Sequence, residues 1–224
     1  MKGITTLLFD LDGTLVDSAP DIADAMDKAL LAMGRDPLGE SRARQWIGNG
    51  AQRLMDRALT GEMDGMPPEE QRQRSLALFL EAYGEALCVR SRLYPGAREC
   101  VEQLHAEGYR LGCVTNKPEG LSVELLRQIG LGPELIPVVV GGDSLPQRKP
   151  DAAPLQHAME ALGATAEQTL MVGDSITDIR AAANAGTAIA CVSYGYNPGG
   201  DIRDAGVPVV DNLLELKQML RAAA

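Results

Sequence analysis

Residues 4–15 read ITTLLFDLDGTL, an apolar run that ends in two aspartates, a glycine and a threonine. The run is short, apolar and β-branched at its start, which predicts a buried strand from Ile4 to Phe9. Asp10 follows this strand directly, and the Asp12-Gly13 pair predicts a tight turn. The stretch therefore predicts a buried strand that delivers two carboxylates at its end.

After residue 95 the chain alternates between short apolar runs and amphipathic stretches. The strands are predicted at 111–114, 136–140, 169–172, 188–192 and 207–210, and the helices at 97–107, 119–129, 153–162, 178–185 and 213–220. Such alternation predicts a parallel sheet with helices on both faces, that is, an α/β fold with a Rossmann-like three-layer α/β/α sandwich. The strand before Asp10 belongs to the same sheet.

Residues 16–92 have a different pattern, in which apolar residues recur at three- and four-residue spacing and no strand is evident. Glycines and prolines separate the helical stretches. The pattern predicts an all-helical cap domain at 16–92, inserted into an α/β core domain formed by 1–15 and 93–224. An insert at this position can close over the edge of the sheet where the first strand ends.

The chain of 224 residues carries a formal net charge of −10. This charge argues against nucleic acid and against anionic membranes as partners, and no apolar stretch reaches membrane-spanning length. The four cysteines are scattered without a CxxC pair, which suggests neither a zinc site nor a disulfide framework. The first apolar stretch is too short for a signal peptide. We therefore expect a cytoplasmic protein, either a monomer or a homodimer.

Polar residues follow several of the predicted strands, where ligands bind in open parallel sheets. They are Asp10 and Asp12, Thr115-Asn116, and Gly173-Asp174-Ser175 with Asp178 behind it. The carboxylates of Asp10, Asp12 and Asp174 at one edge would repel each other unless a divalent cation lay among them, and oxygen ligands with retained waters suit Mg²⁺ better than zinc. The sequence therefore predicts a magnesium site.

The same pocket needs donors for phosphate oxygens. Lys149, from a separate loop, supplies a positive charge, and Thr115 and Asn116 supply short polar side chains. The turn at Gly13 can direct backbone N–H groups inward as an anion-binding nest. These residues predict a site for a small phosphate ester.

The segments DLDGTL at 10–15, Thr115-Asn116, Lys149 and Gly173-Asp174-Ser175 with Asp178 resemble, in order, the four motifs of the haloacid dehalogenase superfamily. The resemblance implies a magnesium-dependent phosphatase, a phosphoric monoester hydrolase. Asp10 would attack phosphorus to form an aspartyl phosphate, and Asp12 would act as general acid and then general base. Members that cleave carbon–halogen or carbon–phosphorus bonds carry another residue at the position of Asp12.

The resemblance also assigns the supporting residues. Mg²⁺ would be held by the Asp10 side chain, the Asp12 backbone carbonyl and Asp174. Asp178, with Ser175 beside it, would orient the waters of the metal or Lys149. Thr115, Asn116 and Lys149 would hold the transferring group.

Two further segments indicate which group within this superfamily the chain resembles most. Residues 141–151 and 192–197 are most similar to bacterial phosphoglycolate phosphatases, which implies 2-phosphoglycolate as substrate. The carboxylate of that ester needs a cation or N–H groups in the cap, and the candidates are the Gly48-Asn49-Gly50 turn and Arg53. The alternative is that the glycines only form a turn and that Arg53 is a solvated surface charge.

Three other functions remain open on the residues. A sugar-phosphate phosphatase would share most of the motifs, and a phosphomutase such as β-phosphoglucomutase would keep both aspartates. A binding protein of the same fold is a third possibility, against which the intact Asp10, Asp12, Lys149 and Asp174 argue. The motif G-x-x-x-x-G-K-S/T is absent, which excludes a P-loop nucleotide hydrolase.

Overall fold

A computed structural model describes residues 3–197 and 199–222. Its strands are β1 Thr6–Phe9, β2 Val16–Asp17, β3 Arg92–Leu93, β4 Arg110–Val114, β5 Val138–Val140, β6 Thr169–Gly173, β7 Ala188–Val192 and β8 Val209–Val210. Its helices are α1 Ala19–Ala32, α2 Glu40–Trp46, α3 Ala51–Thr60, α4 Glu69–Glu85, α5 Ala97–Ala106, α6 Glu119–Gln128, α7 Ala153–Ala161, α8 Ile176–Ala185 and α9 Glu215–Ala222.

Six strands form one parallel sheet in the order β5-β4-β1-β6-β7-β8. The first strand of the chain lies between β4 and β6, where Phe9 pairs with Cys113 on one side and with Val172 on the other. The carboxyl ends of these three strands therefore lie at one edge of the sheet. That edge carries Asp10, Thr115 and Asp174, because each of them follows the last residue of its strand directly.

The side chains of β1 alternate between the two faces of the sheet. Leu7 and Phe9 join a core that includes buried residues of α5, α6 and α9, whereas Leu8 joins a core formed with α7 and α8. All three side chains are fully buried. The predicted three-layer α/β/α sandwich is therefore confirmed.

Helices α1 to α4, here called the helical insert, lie between β2 and β3. These two strands pair antiparallel, with Val16 opposite Leu93 and Asp17 opposite Arg92. The sequence pattern showed no strand in this block, and that prediction was wrong because two-residue strands are too short to produce a periodicity. Helix α1 packs against α2 and α4. Within the described residues, no helix combines the length and the apolar character needed to cross a bilayer.

Helix α8 begins at Ile176, two residues before the predicted start. Ser175 and Asp178 form a capping box at its first turn, so that the helix starts directly after Ser175. Strand β6 and helix α8 are therefore joined by a turn of two residues, Asp174 and Ser175. This short connection places Asp174 and Asp178 beside each other at the edge of the sheet.

Candidate active site

Three carboxylates lie together at the carboxyl edge of the sheet. Asp10, Asp174 and Asp178 each offer an oxygen within 4.8 Å of the others. Their exposed fractions are only 8%, 2% and 0%. The grouping of Asp10 with Asp174 that the strand ends predicted is present, and burial makes the accumulated negative charge costly unless a cation balances it.

Lys149 lies between two of these carboxylates. Its Nζ is 2.9 Å from Asp10 Oδ1 and 2.7 Å from Asp178 Oδ1, and the side chain is almost completely buried. Burial lowers the pKa of Lys149, but the two carboxylates more than offset this and hold that pKa above its usual value. Lys149 therefore remains charged, and its third N–H donor is left for a ligand.

One lysine does not neutralise three carboxylates. Burial raises the pKa of Asp10 to about 6, against the attraction of Lys149. Burial, together with repulsion from Asp178 and Asp10, raises the pKa of Asp174 well above its usual range. The protein alone thus does not stabilise all three carboxylates in their ionised form, and a donor set made of carboxylate oxygens suits a hard divalent cation such as Mg²⁺.

Both oxygens of Asp178 are used by neighbouring groups of the protein. Oδ1 accepts from Lys149, and Oδ2 accepts from the Ser175 hydroxyl at 2.7 Å and from the Ser175 N–H at 3.1 Å. Asp178 therefore fixes Lys149 and the start of α8. This arrangement fits the supporting role expected for Asp178 and Ser175 better than direct metal ligation.

Asp174 is held by two groups that the sequence did not single out. Thr14 donates its hydroxyl to Oδ1 at 3.0 Å, and the Tyr196 N–H donates to Oδ2 at 2.6 Å. Thr14 follows the DLDG turn, and its position in that motif was the available signal. Tyr196 lies far along the chain, and its approach to Asp174 depends on how the loop after β7 folds back.

Gly13 has a role that differs from the predicted one. Its N–H donates to the Val16 carbonyl at 2.9 Å, so this group does not face a ligand as expected of an anion-binding nest. Gly13 has φ +90°, and a Cβ at this position would lie 2.5 Å from Asp174 Oδ2. Glycine is therefore required so that the turn can pass close to Asp174.

Asp12 is not part of the cluster formed by Asp10, Asp174 and Asp178, but it lines the same pocket as Asp10. Its Oδ1 accepts from the Ser18 hydroxyl at 2.6 Å and from Lys117 Nζ at 3.0 Å. Asp10, by contrast, is held by Lys149. The two aspartates thus have separate partners, which allows them separate chemical roles on the same ligand.

Lys117 and Tyr83 complete this side of the pocket, and the sequence did not predict either. Lys117 Nζ lies 2.5 Å from the Tyr83 hydroxyl and 4.3 Å from the centre of its ring. The position of Lys117 directly after Thr115-Asn116 was a usable signal, since it follows a strand end. Tyr83 belongs to α4 of the helical insert, and no local pattern distinguishes it from a core residue.

Thr115 and Asn116 differ in what they can offer a ligand. Thr115 lines the pocket, and its hydroxyl oxygen accepts from the Lys117 N–H at 3.3 Å, which leaves the hydroxyl hydrogen available. Asn116 Nδ2 donates to the Gly48 carbonyl at 3.1 Å and to the Lys149 carbonyl at 3.0 Å. Both side-chain amide hydrogens are used, so the Asn116 side chain ties the insert to the Lys149 loop and does not supply the donor to a phosphate expected of it.

The Gly48-Asn49-Gly50 turn of the insert contacts the edge of the sheet. Gly48 and Gly50 line the pocket. Asn49 Nδ2 lies 3.4 Å from Thr177 Oγ1 in the first turn of α8. The turn therefore helps to seat the insert over the carboxylates.

Arg53 does not face the pocket, which corrects the prediction of a cap anion site. Its Nη2 donates to the Met63 carbonyl at 2.7 Å and its Nη1 to the Gly65 carbonyl at 3.1 Å. Ala51 and Leu54 line the pocket instead. Successive helical residues differ by about 100° in direction, so a helix that presents Leu54 to the pocket turns Arg53 away.

The remainder of the pocket wall is apolar and comes from the helical insert. Its side chains are Ile22, Ile47, Leu54 and Phe79. The insert thus places an apolar surface over a polar edge of the sheet.

A family model described as haloacid dehalogenase-like hydrolase matches residues 4–186. The chain belongs to the haloacid dehalogenase-like hydrolase family. The family membership expected from the four motifs is thereby confirmed, and with it the fold. The matched range includes β1, the whole helical insert, β4 and β6, so the strand ends that carry Asp10, Thr115 and Asp174 lie within the family match.

This haloacid dehalogenase-like hydrolase is similar to curated proteins over its whole length. It is 45% identical over 225 residues to a phosphoglycolate phosphatase of Nitrosococcus oceani, with all of both chains covered. It is 45% identical over 213 residues to phosphoglycolate phosphatase 1 of Pseudomonas aeruginosa, covering 94% of this chain and 77% of that protein. A crystal structure of a predicted phosphoglycolate phosphatase from Haemophilus somnus superimposes with a TM-score of 0.88 at 36% identity, covering 98% of this chain and 99% of that one.

Proposed function

We propose that this chain is a magnesium-dependent phosphatase that hydrolyses 2-phosphoglycolate to glycolate and phosphate, with Asp10 as the nucleophile. The observation that carries the proposal is the environment of Asp10. Its Oδ1 accepts from the Leu11 N–H at 2.8 Å and from Lys149 at 2.9 Å, so Oδ2 is the oxygen left to attack phosphorus. A fixed carboxylate at the end of the central strand, beside a second carboxylate with different partners, is suited to nucleophilic catalysis.

The reaction divides between the two aspartates. Asp10 Oδ2 forms a bond to phosphorus as the bond from phosphorus to the ester oxygen breaks, and Asp12 gives that oxygen its proton. Asp12 then takes a proton from the water that attacks the aspartyl phosphate, which restores Asp10. The third N–H of Lys149 and the hydroxyl of Thr115 bind oxygens of the transferring phosphoryl group.

The residues present fit a magnesium ion. Asp10, Asp174 and the backbone carbonyl of Asp12 would hold it, while Asp178 is already engaged by Lys149 and Ser175. Bound there, Mg²⁺ supplies charge that offsets the repulsion between the carboxylate nucleophile and the phosphate. Thr14 and the Tyr196 N–H keep the Asp174 carboxylate in place for this task.

The substrate proposal is supported by relatives and by the pocket wall. Relatives that match over 94% or more of this chain are named phosphoglycolate phosphatases. Apart from the Tyr83 hydroxyl, the side chains that the helical insert contributes to the pocket are apolar and offer no hydrogen-bond partners to the hydroxyl groups of a sugar. A short leaving group suits this wall better than a hexose, which argues against the sugar-phosphate phosphatase and phosphomutase alternatives. The helical insert acts in this proposal as the cap that excludes water.

The proposed setting is the cytoplasm, with the enzyme a monomer or a homodimer. The four cysteines are free thiols, and three of them are buried. Structural disulfides are typical of oxidising compartments, so their absence among these residues fits a reducing one.

The test is phosphate release from a panel of small esters, comprising 2-phosphoglycolate, glucose 6-phosphate and β-glucose 1-phosphate. Each ester is measured with Mg²⁺ and after chelation with EDTA. We expect release that prefers 2-phosphoglycolate, falls at least about 100-fold on chelation and returns when Mg²⁺ is added in excess. Release that is insensitive to chelation would contradict the metal site, and preference for a sugar phosphate would contradict the substrate.

Arg53 provides a second prediction, which concerns the cap. Because its guanidinium contacts the loop carbonyls of Met63 and Gly65, Arg53→Ala is expected to leave the KM for 2-phosphoglycolate within about twofold of wild type. Loss of those contacts should instead lower thermal stability slightly. Steady-state kinetics and thermal unfolding of the same preparation check both statements. A tenfold rise in KM would restore Arg53 to the substrate site.

A further inference from the structure

Two buried donors beside Asp12 have no part in the mechanism above. Lys117 has three N–H donors, and its partners in the described part of the chain are the Asp12 carboxylate and the Tyr83 hydroxyl. Nζ lies 3.0 Å from Asp12 Oδ1 and 3.3 Å from Oδ2, and a single N–H shared between these two oxygens leaves one donor of Lys117 for a ligand. The Tyr83 hydroxyl accepts from Lys117, so its own hydrogen is also left to donate.

Both side chains line the pocket that holds Asp10 and Asp12. The Lys117 side chain is 4% exposed, and Tyr83 is 1% exposed. Burial, together with the charge of Asp12, raises the pKa of Tyr83 well above its usual range, so the phenol keeps its proton. Both groups thus already have a protein partner, and each has a remaining hydrogen that can donate to an acceptor in the pocket.

The short distance between Lys117 and Asp12 is consistent with the small size of the glycolate leaving group. Its Nζ lies 3.0 Å from Asp12 Oδ1, and Asp12 is the residue that protonates the ester oxygen in the proposed mechanism. In 2-phosphoglycolate a single methylene separates the ester oxygen from the carboxyl carbon. A group that recognises this carboxylate must therefore lie within a few ångströms of the general acid, as Lys117 does.

We propose that Lys117 and Tyr83 bind the carboxylate of 2-phosphoglycolate, the ammonium donating to one oxygen and the phenol to the other. The inference rests on the proposed function and names the residues that select its substrate. A carboxylate accepts two such donors at once, and the charge-assisted bond to Lys117 is the stronger of the two. The neighbouring wall of Ile22, Ile47 and Phe79 supplies no competing polar partner.

The same pair joins two parts of the fold. Lys117 follows β4 in the sheet domain, whereas Tyr83 belongs to α4 of the helical insert. A carboxylate bound between them bridges the insert to the sheet. Substrates that carry the carboxylate thereby stabilise the closed position of the insert, and esters that lack it do not.

The competing account is that Lys117 only positions Asp12. Two esters separate the two accounts, namely 2-phosphoglycolate and 2-hydroxyethyl phosphate, in which a neutral CH₂OH group replaces the carboxylate. A residue that only positions Asp12 affects both esters equally, chiefly through kcat. A residue that binds the carboxylate affects 2-phosphoglycolate far more, and chiefly through KM.

The experiment measures kcat and KM of wild type, Lys117→Met and Tyr83→Phe on both esters. For Lys117→Met we expect the loss in kcat/KM on 2-phosphoglycolate to exceed the loss on 2-hydroxyethyl phosphate by roughly 10- to 100-fold. For Tyr83→Phe we expect an excess of roughly 3- to 10-fold, and Lys117→Arg should recover part of the preference. Lys28→Met, at an exposed position of α1, and Tyr109→Phe serve as matched controls and should leave the preference unchanged.

The outcomes are distinct. In the first outcome, the wild-type enzyme prefers 2-phosphoglycolate and the variants lose equally on both esters. This result overturns the role of Lys117 and Tyr83 and leaves the proposed function intact. A wild-type enzyme that cleaves both esters without preference overturns the substrate and this inference together. Tyr83→Phe removes one oxygen and keeps the ring that packs in the core, so it decides the question even if Lys117→Met does not fold.

Discussion

Replacing Asp10 by asparagine is expected to reduce phosphate release by at least about 10⁴-fold, the largest effect of any single change in this chain. The amide keeps the size of the carboxylate and an oxygen that can accept from Lys149. It lacks the negative charge that makes Oδ2 a nucleophile, and it removes one proposed ligand of the metal. The aspartyl phosphate therefore cannot form.

The measurement is phosphate release from 2-phosphoglycolate with Mg²⁺, together with the thermal unfolding of each protein. Asp36→Asn, at an exposed position of the insert, is the matched control and should retain wild-type activity. Asp10→Asn is expected to remain folded, because the exchange removes a buried charge whose pKa is raised chiefly by burial. A folded variant with more than a tenth of the wild-type activity would exclude Asp10 as the nucleophile.

Asp12→Asn is expected to lose about 10²- to 10⁴-fold on 2-phosphoglycolate, because the alkoxide that leaves needs a proton. The loss should depend on the leaving group. With p-nitrophenyl phosphate, whose phenolate leaves without a proton, the first step should proceed at close to the wild-type rate. The second step should stay slow, because Asp12 is also the base that activates the attacking water.

Rapid mixing of the variant with p-nitrophenyl phosphate provides the test. We expect a burst of nitrophenolate that approaches one equivalent of enzyme and is followed by slow turnover, whereas wild type should show no such separation at the same magnesium concentration. Equal slowing of the burst and of the steady state would show that Asp12 positions the nucleophile and does not transfer protons. Asp12 keeps its backbone carbonyl in the variant, so the proposed metal ligand at this position is retained.

The residues of the candidate site at the strand ends could be found from the sequence because their positions follow from local rules. A short apolar run that ends in Asp10 predicts a strand end, and a parallel sheet brings such ends to one edge. The same holds for Asp174 after β6 and for Thr115 after β4. These predictions need only the period of the apolar residues and the handedness of the connections between parallel strands.

Arg53 shows where local rules fail. The sequence placed the Gly48–Gly50 turn and Arg53 together at an anion site above the pocket, whereas in the structure Gly48 and Gly50 line the pocket and Arg53 does not. That choice was made by the packing of α3 against α4, which directs Leu54 to the pocket and Arg53 to the loop at 61–65. Arg53, which was predicted to face the pocket, and Leu54, which does face it, are neighbours in the helix, and their directions differ by about 100°.

By itself, the sequence determined the α/β fold, the position of the helical insert in the chain, and the carboxylates and lysine at the strand ends. Only the tertiary structure decided which donors these groups use and which residues line the pocket. Lys117 meets Tyr83 across 34 positions of the chain, and Tyr196 meets Asp174 across 22. The physical reason is that backbone preferences and periodicity act between near neighbours, whereas the direction of a buried side chain is set by close packing between elements that are distant in sequence.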